Sequence, residues 1–162
     1  MQWSEVIDNP LLQDLPFKIE LNKYGKLLLS PVSNLRGCIQ AQLAAALQND
    51  MPDGEVITEC SVETSDGVKV ADVVWTSAAF ISEFGYTTPY TKAPELCVEI
   101  VSPSNSKQEM EQKIELYLAR GTHEVWVVYE GALIDVFTHT GQQSKSQFSD
   151  SLVKTILQQF KR

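Results

Sequence analysis

Pro94-Glu95-Leu96-Cys97-Val98-Glu99-Ile100-Val101-Ser102-Pro103, continued by Ser106-Lys107-Gln108-Glu109 and then His123-Glu124-Val125-Trp126-Val127-Val128-Tyr129, is the stretch that decides the fold. Pro94 to Val101 is a β-rich run that reads as a strand, and Pro103 stops it. Ser106 with Glu109 three residues later is a capping box, and Met110, Ile114, Tyr117 and Leu118 form an apolar stripe up to Gly121. A second β-rich run follows at 123–129. Strand, helix and strand in this order make a βαβ unit.

Working outward, Leu133-Ile134-Asp135-Val136-Phe137 folds back across Glu130-Gly131 as a hairpin. Upstream, Glu55-Val56-Ile57-Thr58-Glu59 and Val68 to Trp75 flank Ser65-Asp66-Gly67, a turn signal that predicts an antiparallel pair. Cys38, Ile39, Gln42, Leu43, Ala46 and Leu47 have helical spacing over 33–48, with Ser33 or Asn34 as the cap. Phe17-Lys18-Ile19-Glu20-Leu21 and Lys26-Leu27-Leu28-Leu29-Ser30 read as an N-terminal hairpin around Asn22-Lys23-Tyr24-Gly25, and Pro31 ends its second strand. Leu152, Val153, Ile156, Leu157 and Phe160 predict a short terminal helix. The expected class is α/β, a mixed β-sheet core flanked by helices, with N-terminal and C-terminal hairpins.

The chain has 162 residues, 43% of them hydrophobic and 21% charged, which is ordinary globular composition for a single domain over 1–162. Its longest apolar stretches fall far below the ~18 residues of a membrane span. The first residues show no basic segment followed by an apolar core, so the expected address is the cytoplasm. Cys38, Cys60 and Cys97 lack a Cys-x-x-Cys pair and read as small buried apolar residues.

Thirteen basic against 21 acidic residues give a net charge of −8. This is the wrong sign for holding nucleic acid by backbone charge alone, since that affinity comes from Lys and Arg replacing counterions. Any nucleic-acid role therefore needs metal ions or a local basic patch.

Two strand interiors carry an acid where the pattern calls for an apolar residue. Asp72 shares its face with Val68, Val70 and Val74, and Glu99 shares its face with Cys97 and Val101. An unpaired buried carboxylate costs several kcal/mol, so each acid needs a partner. On neighbouring strands the two would converge and raise each other's pKa unless a cation lies between them. Oxygen-only ligands favour Mg²⁺ or Mn²⁺ over zinc. Lys113, on the helix after the Glu99 strand, is the candidate for stabilising developing charge, and Glu20 is a third acid on a short strand.

Plainer readings exist for each. Lys113 follows Glu109 at i,i+4, the spacing of a surface ion pair worth ~0.3–0.5 kcal/mol. Glu109 can serve Ser106 alone, and Asp72 and Glu99 can mark edge strands open to water. The serines at 30, 102 and 104 sit beside prolines at strand ends, where turn chemistry explains them, and no Gly-rich phosphate loop is present.

The chain resembles the Uma-two family of proposed endonucleases, within the restriction-endonuclease-like PD-(D/E)XK superfamily. The resemblance rests on Asp14-Leu15-Pro16-Phe17-Lys18-Ile19-Glu20-Leu21-Asn22 with Gly25 and Ser30-Pro31; on Val70-Ala71-Asp72-Val73-Val74-Trp75; on Pro94 to Ser104; and on Lys113, Tyr117, Gly121, Glu124, Val125 and Trp126. It implies a nuclease core with Asp72 as the motif aspartate and Glu99 as the acid of the E-x-K element. Val101 stands at the usual lysine position, and the resemblance implies that Lys113 supplies the lysine from the following helix.

It further implies that Asp72, Glu99 and the Ile100 carbonyl hold Mg²⁺ or Mn²⁺, with Glu20 joining the metal shell and DNA as the substrate. The cation would then offset acids that otherwise repel DNA. Arg36 replaces a histidine many members carry, and an arginine can bind phosphate but cannot act as a base at neutral pH. Ala71 and Glu109 replace the family's proline and helix aspartate. The other reading is a binding or assembly module that has kept the nuclease fold without strong catalysis. Trp126, Tyr129 and Phe137 in the C-terminal hairpin suggest a homodimer, which would suit cutting both strands.

Overall fold

The computed structural model describes residues 1–103, 105–130 and 133–155. A short helix α1 (Trp3–Ile7) and a 3₁₀ turn (Pro10–Leu12) lead into the hairpin β1 (Phe17–Leu21) and β2 (Leu27–Pro31), then helix α2 (Asn34–Asp50). The long hairpin β3 (Gly54–Thr64) and β4 (Gly67–Ser77) follows, then α3 (Ala78–Phe84), β5 (Leu96–Val101), α4 (Lys107–Ala119) and β6 (Glu124–Tyr129). The last described elements are β7 (Ile134–Thr138), β8 (Gly141–Gln143) and α5 (Asp150–Thr155).

The main sheet runs β3-β4-β5-β6-β7-β8. Among the described strands of this sheet, β5 and β6 alone pair in parallel, Leu96 opposite Glu124 through Val101 opposite Tyr129, because α4 carries the chain back over one face between them. The other neighbours are antiparallel, so the sheet is mixed as the βαβ pattern predicts. Ser106 and Glu109 close the capping box that starts α4, and Ser33, of the two candidates, caps α2 by accepting from the Arg36 amide.

Alternation along β5 sorts the two faces. Leu96, Val98 and Ile100 point to α2, where they meet Ile39, Leu43 and Leu47 together with Val73 and Trp126. Cys97 and Val101 point to the opposite side, against Met110, Ile114 and Tyr117 of α4. Each face buries a stripe at helical spacing, and burying such side chains supplies ~1.5–3 kcal/mol apiece. A third, smaller cluster of Val6, Leu21 and Val68 fixes the β1–β2 hairpin to the start of β4.

The hairpin forms its own two-stranded sheet, with Glu20 opposite Leu28. Its seat is tight. A Cβ on Gly67, which has φ +78°, would lie 2.3 Å from the Leu21 carbonyl oxygen, so the β3–β4 turn admits only glycine against the end of β1. The Lys23 amide also donates to Asp66 Oδ1 at 3.1 Å.

Several sequence expectations change. Strand β3 continues to Thr64, beyond the predicted end at Glu59, because Cys60 and Val62 are buried against the α4 side. Helix α3, which the sequence reading does not assign, is capped by Ser77. The C-terminal hairpin extends into a third strand, β8. Trp126 is fully buried and serves the α2-side core, so it is not available to a dimer contact. Cys60 and Cys97 are buried as expected, but Cys38 is exposed on α2, where Gln42 Nε2 lies 3.4 Å from its sulfur. Gly131 of the predicted turn, Ser104, and Ile156, Leu157 and Phe160 of the predicted terminal helix lie outside the described residues. Among the described residues, no helix is long and apolar enough to cross a membrane.

Candidate active site

Strands β4 and β5 are interior strands, so neither acid lies on an edge. The β4–β5 ladder ends at Val73 opposite Val98, and Asp72 and Glu99 are the next residues of the two strands, bridged by Lys18. The Ile100 amide donates to Asp72 Oδ2 at 2.7 Å, which fixes the carboxylate against the neighbouring strand. On the other side of β4, Glu59 has a left-handed φ of +52°. There the Asp72 carbonyl accepts from Gln40 Nε2 of α2 at 2.8 Å, and Gln40 also reaches Glu59 Oε1.

A cation does lie between the two acids. Lys18 of β1 sends its ammonium to Asp72 Oδ1 at 3.2 Å and to Glu99 Oε2 at 3.0 Å. Glu20, two residues on and therefore on the same face of β1, accepts from the Val70 amide through Oε2 at 2.7 Å. Its other oxygen pairs with Lys113 of α4 at 2.9 Å. Lys113 also lies 3.4 Å from Glu99 Oε2, and the Tyr117 hydroxyl, one turn further, donates to Glu99 Oε1 at 2.7 Å. From α2, Arg36 closes on Asp72 Oδ1.

Glu20, Asp72 and Glu99 are thus matched by Lys18, Arg36 and Lys113 in one cluster drawn from five elements. It is buried throughout, with only Lys113 reaching 15% side-chain exposure. Burial would raise the Glu99 carboxyl, but Lys113, Lys18 and the Tyr117 hydrogen bond hold it at about 2. Burial would likewise lower Lys18, but Glu99, Asp72 and Glu20 outweigh it and keep the ammonium protonated, above the ordinary lysine range.

Lys113 and Glu20 open onto a cleft of about 440 Å³ between β2 and α4, bordered by Leu28, Lys69, Asn105 and Glu109. The cluster meets solvent at this mouth.

The structure therefore gathers Glu20, Asp72, Glu99, Lys113, Arg36 and the Ile100 backbone in one place. Lys113 turns to Glu20 and Glu99, whereas Glu109 serves the cap, so the surface-pair reading of these two is not what forms. Arg36, expected at a phosphate, is only 6% exposed and is bound to Asp72. Its guanidinium orients an acid instead of facing the cleft. Two members of the cluster are absent from the sequence candidates. Lys18 had a signal, because it shares Glu20's face of β1, and Tyr117 stands at i+4 from Lys113.

Asp72 and Glu99 fit a hard divalent cation in donor chemistry and in direction, since one oxygen of each already touches a single cationic centre. Among the described residues, no three His, Cys, Asp or Glu side chains come together as a metal-holding group. Glu20 is kept apart from the pair, facing it across Lys113.

The site thus places acids from two adjacent interior strands of a mixed sheet beside a lysine on the crossover helix, in a fold of the nuclease-like class. The fold is similar to that of a protein from Anabaena variabilis described as a "putative nuclease belonging to DUF820", with a TM-score of 0.67 at 18% identity over 77% of this chain and 74% of that one. The chain belongs to the Uma2 family, described as "Putative restriction endonuclease", whose model matches residues 9–160. No curated protein matches it.

Proposed function

We propose that the protein is a Mg²⁺- or Mn²⁺-dependent endonuclease that hydrolyses DNA phosphodiester bonds. The observation that carries this reading is that Asp72 and Glu99, from neighbouring strands, aim one oxygen each at the same cationic centre, beside a lysine at the mouth of a cleft. Asp72, Glu99 and the Ile100 carbonyl are the groups that would hold the ion. When bound, a divalent ion supplies Lewis acidity and a water of lowered pKa.

The remaining roles belong to the chain. Lys113 brings positive charge to a phosphate at the cleft mouth, and Glu20 holds Lys113 in place from the opposite side. Arg36 and the Ile100 amide fix the orientation of Asp72, and Tyr117 fixes that of Glu99. Lys18 and Glu20 bind the N-terminal hairpin into the cluster, which supports one domain over 1–162. Within this reading the protein acts in the cytoplasm as a homodimer, and sedimentation of the purified chain tests the dimer.

Cleavage of supercoiled plasmid in Mg²⁺ or Mn²⁺, against a chelator control and Lys113→Ala prepared identically, tests the reading. Metal-dependent nicking that the variant lacks is the expected result. Equal inertness of the two folded proteins would overturn it. That outcome would favour the second reading, a binding or assembly module on a nuclease fold. The observation behind this alternative is that Asp72, Glu99 and Glu20 each use both carboxylate oxygens on donors of the chain itself.

A further inference from the structure

The chain supplies its own cation at the position where the two strand acids converge. Lys18 contacts both Asp72 and Glu99, whereas Arg36 is bonded to Asp72 and Lys113 to Glu99 and Glu20. Among the described residues, Lys18 is the one cation that spans the pair. The side chains of all three are at most 3% exposed, so water contributes little to their charge balance.

The six charged groups sum to zero. A divalent ion added to this buried, neutral set would bring two uncompensated positive charges into a site of low dielectric. Withdrawal of the Lys18 ammonium changes both terms, leaving a net charge of −1 and removing the one cation shared by Asp72 Oδ1 and Glu99 Oε2, which then keep Arg36 and Lys113 respectively.

We propose that Lys18 is an internal competitor for the divalent cation, occupying the metal position between Asp72 and Glu99 so that an ion binds only as the ammonium withdraws. The proposal rests on the metal-dependent reading above. It makes metal affinity a property of β1, a strand outside the main sheet, and it assigns Lys18 a positioning role.

Binding of Mn²⁺, read from the resonance of the free ion, tests this in the wild type, Lys18→Met, Lys18→Arg and the double variant Lys18→Met with Asp72→Asn. Lys18→Met is expected to bind roughly 5–150-fold more tightly than wild type, the range of a typical coupling between competing states. Lys18→Arg, which keeps the charge, is expected to bind no more tightly than wild type. Adding Asp72→Asn should remove the gain. Equal affinity of Lys18→Met and wild type overturns the competition while leaving the metal reading intact. Absence of Mn²⁺ binding in every protein overturns the metal reading and this proposal with it. Should Lys18→Met fail to fold, wild type labelled with ¹⁵N on lysine decides. The protected Lys18 ammonium signal is expected to vanish with enough Mg²⁺ to displace bound Mn²⁺, and its persistence overturns the proposal.

Discussion

Lys113 and Tyr117 stand one helical turn apart on α4 and close on the same carboxylate, Lys113 at 3.4 Å from Glu99 Oε2 and Tyr117 at 2.7 Å from Glu99 Oε1. The i,i+4 spacing that places two residues on one face of a helix here gives one acid a charge partner and a neutral donor. Removing the neutral donor separates the two contributions.

Tyr117→Phe removes the short hydrogen bond to Glu99 Oε1, leaving that buried oxygen only the long Lys113 contact at 3.5 Å, and is expected to cost about 1–3 kcal/mol, measured by urea unfolding. It should also move acid unfolding of the metal-free protein to higher pH. Glu99 lies at about 2 when folded against an ordinary 4.5, so its contribution is present above pH 4.5 and is lost as pH falls towards 2. Loss of the Tyr117 bond raises the folded value and narrows that window. An unchanged acid midpoint would refute the assignment.

Glu124 is a buried acid remote from this cluster in function. It accepts from Trp126 Nε1 at 3.1 Å, Ser146 Oγ at 2.8 Å and the Gln147 amide at 2.7 Å, tying the segment after β8 to the start of β6. Glu124→Ala orphans three donors and is expected to lower stability by about 3 kcal/mol. Mn²⁺ binding below the melting transition should match wild type.

Glu59 lies in β3 with φ +52°. Strand propensity alone would make Glu59→Val stabilising. The left-handed backbone reverses the sign, and the variant is expected to lose about 1–2 kcal/mol by denaturant titration, because a β-branched side chain tolerates that region poorly. Glu59→Gly should fall well short of this loss.

The cysteines give a labelling pattern. Burial pushes the Cys60 thiol from 9.0 up to about 12 and raises Cys97 well above its ordinary range, while Cys38 is exposed. A thiol reagent at pH 8 is expected to modify Cys38 alone in the native protein and all three after unfolding. Because Cys60 is raised on folding, its contribution to stability is intact below pH 9 and is lost as pH rises towards 12. Fast native labelling of Cys60 would contradict its burial.

The order of the central elements is legible in the sequence because 94–129 carries three independent signals: an apolar run, a capping box and a stripe at helical spacing. Asp72 and Glu99 are legible for a related reason, since an acid breaking an apolar face demands a partner. Lys18 is not read as that partner because a lysine alternating along a short N-terminal strand has the same pattern whether its face meets water or a second sheet. Only the docking of β1 beside β4 decides between them. Helix α3 is too short for its period to show, and Cys38 matches the α2 stripe in spacing while lying just outside the buried face.

The buried charge cluster is assembled from positions far apart along the chain, with Lys18 separated from Asp72 by 54 residues and from Glu99 by 81. Contacts of this sequence separation carry a loop-closure cost that the sheet and its covering helices must offset. A nascent chain that has not yet made α4 carries the acids in water with no lysine from that helix to complete them. Assembly of the site is thereby tied to completion of the fold, and an unfinished or partly unfolded chain presents no organised site.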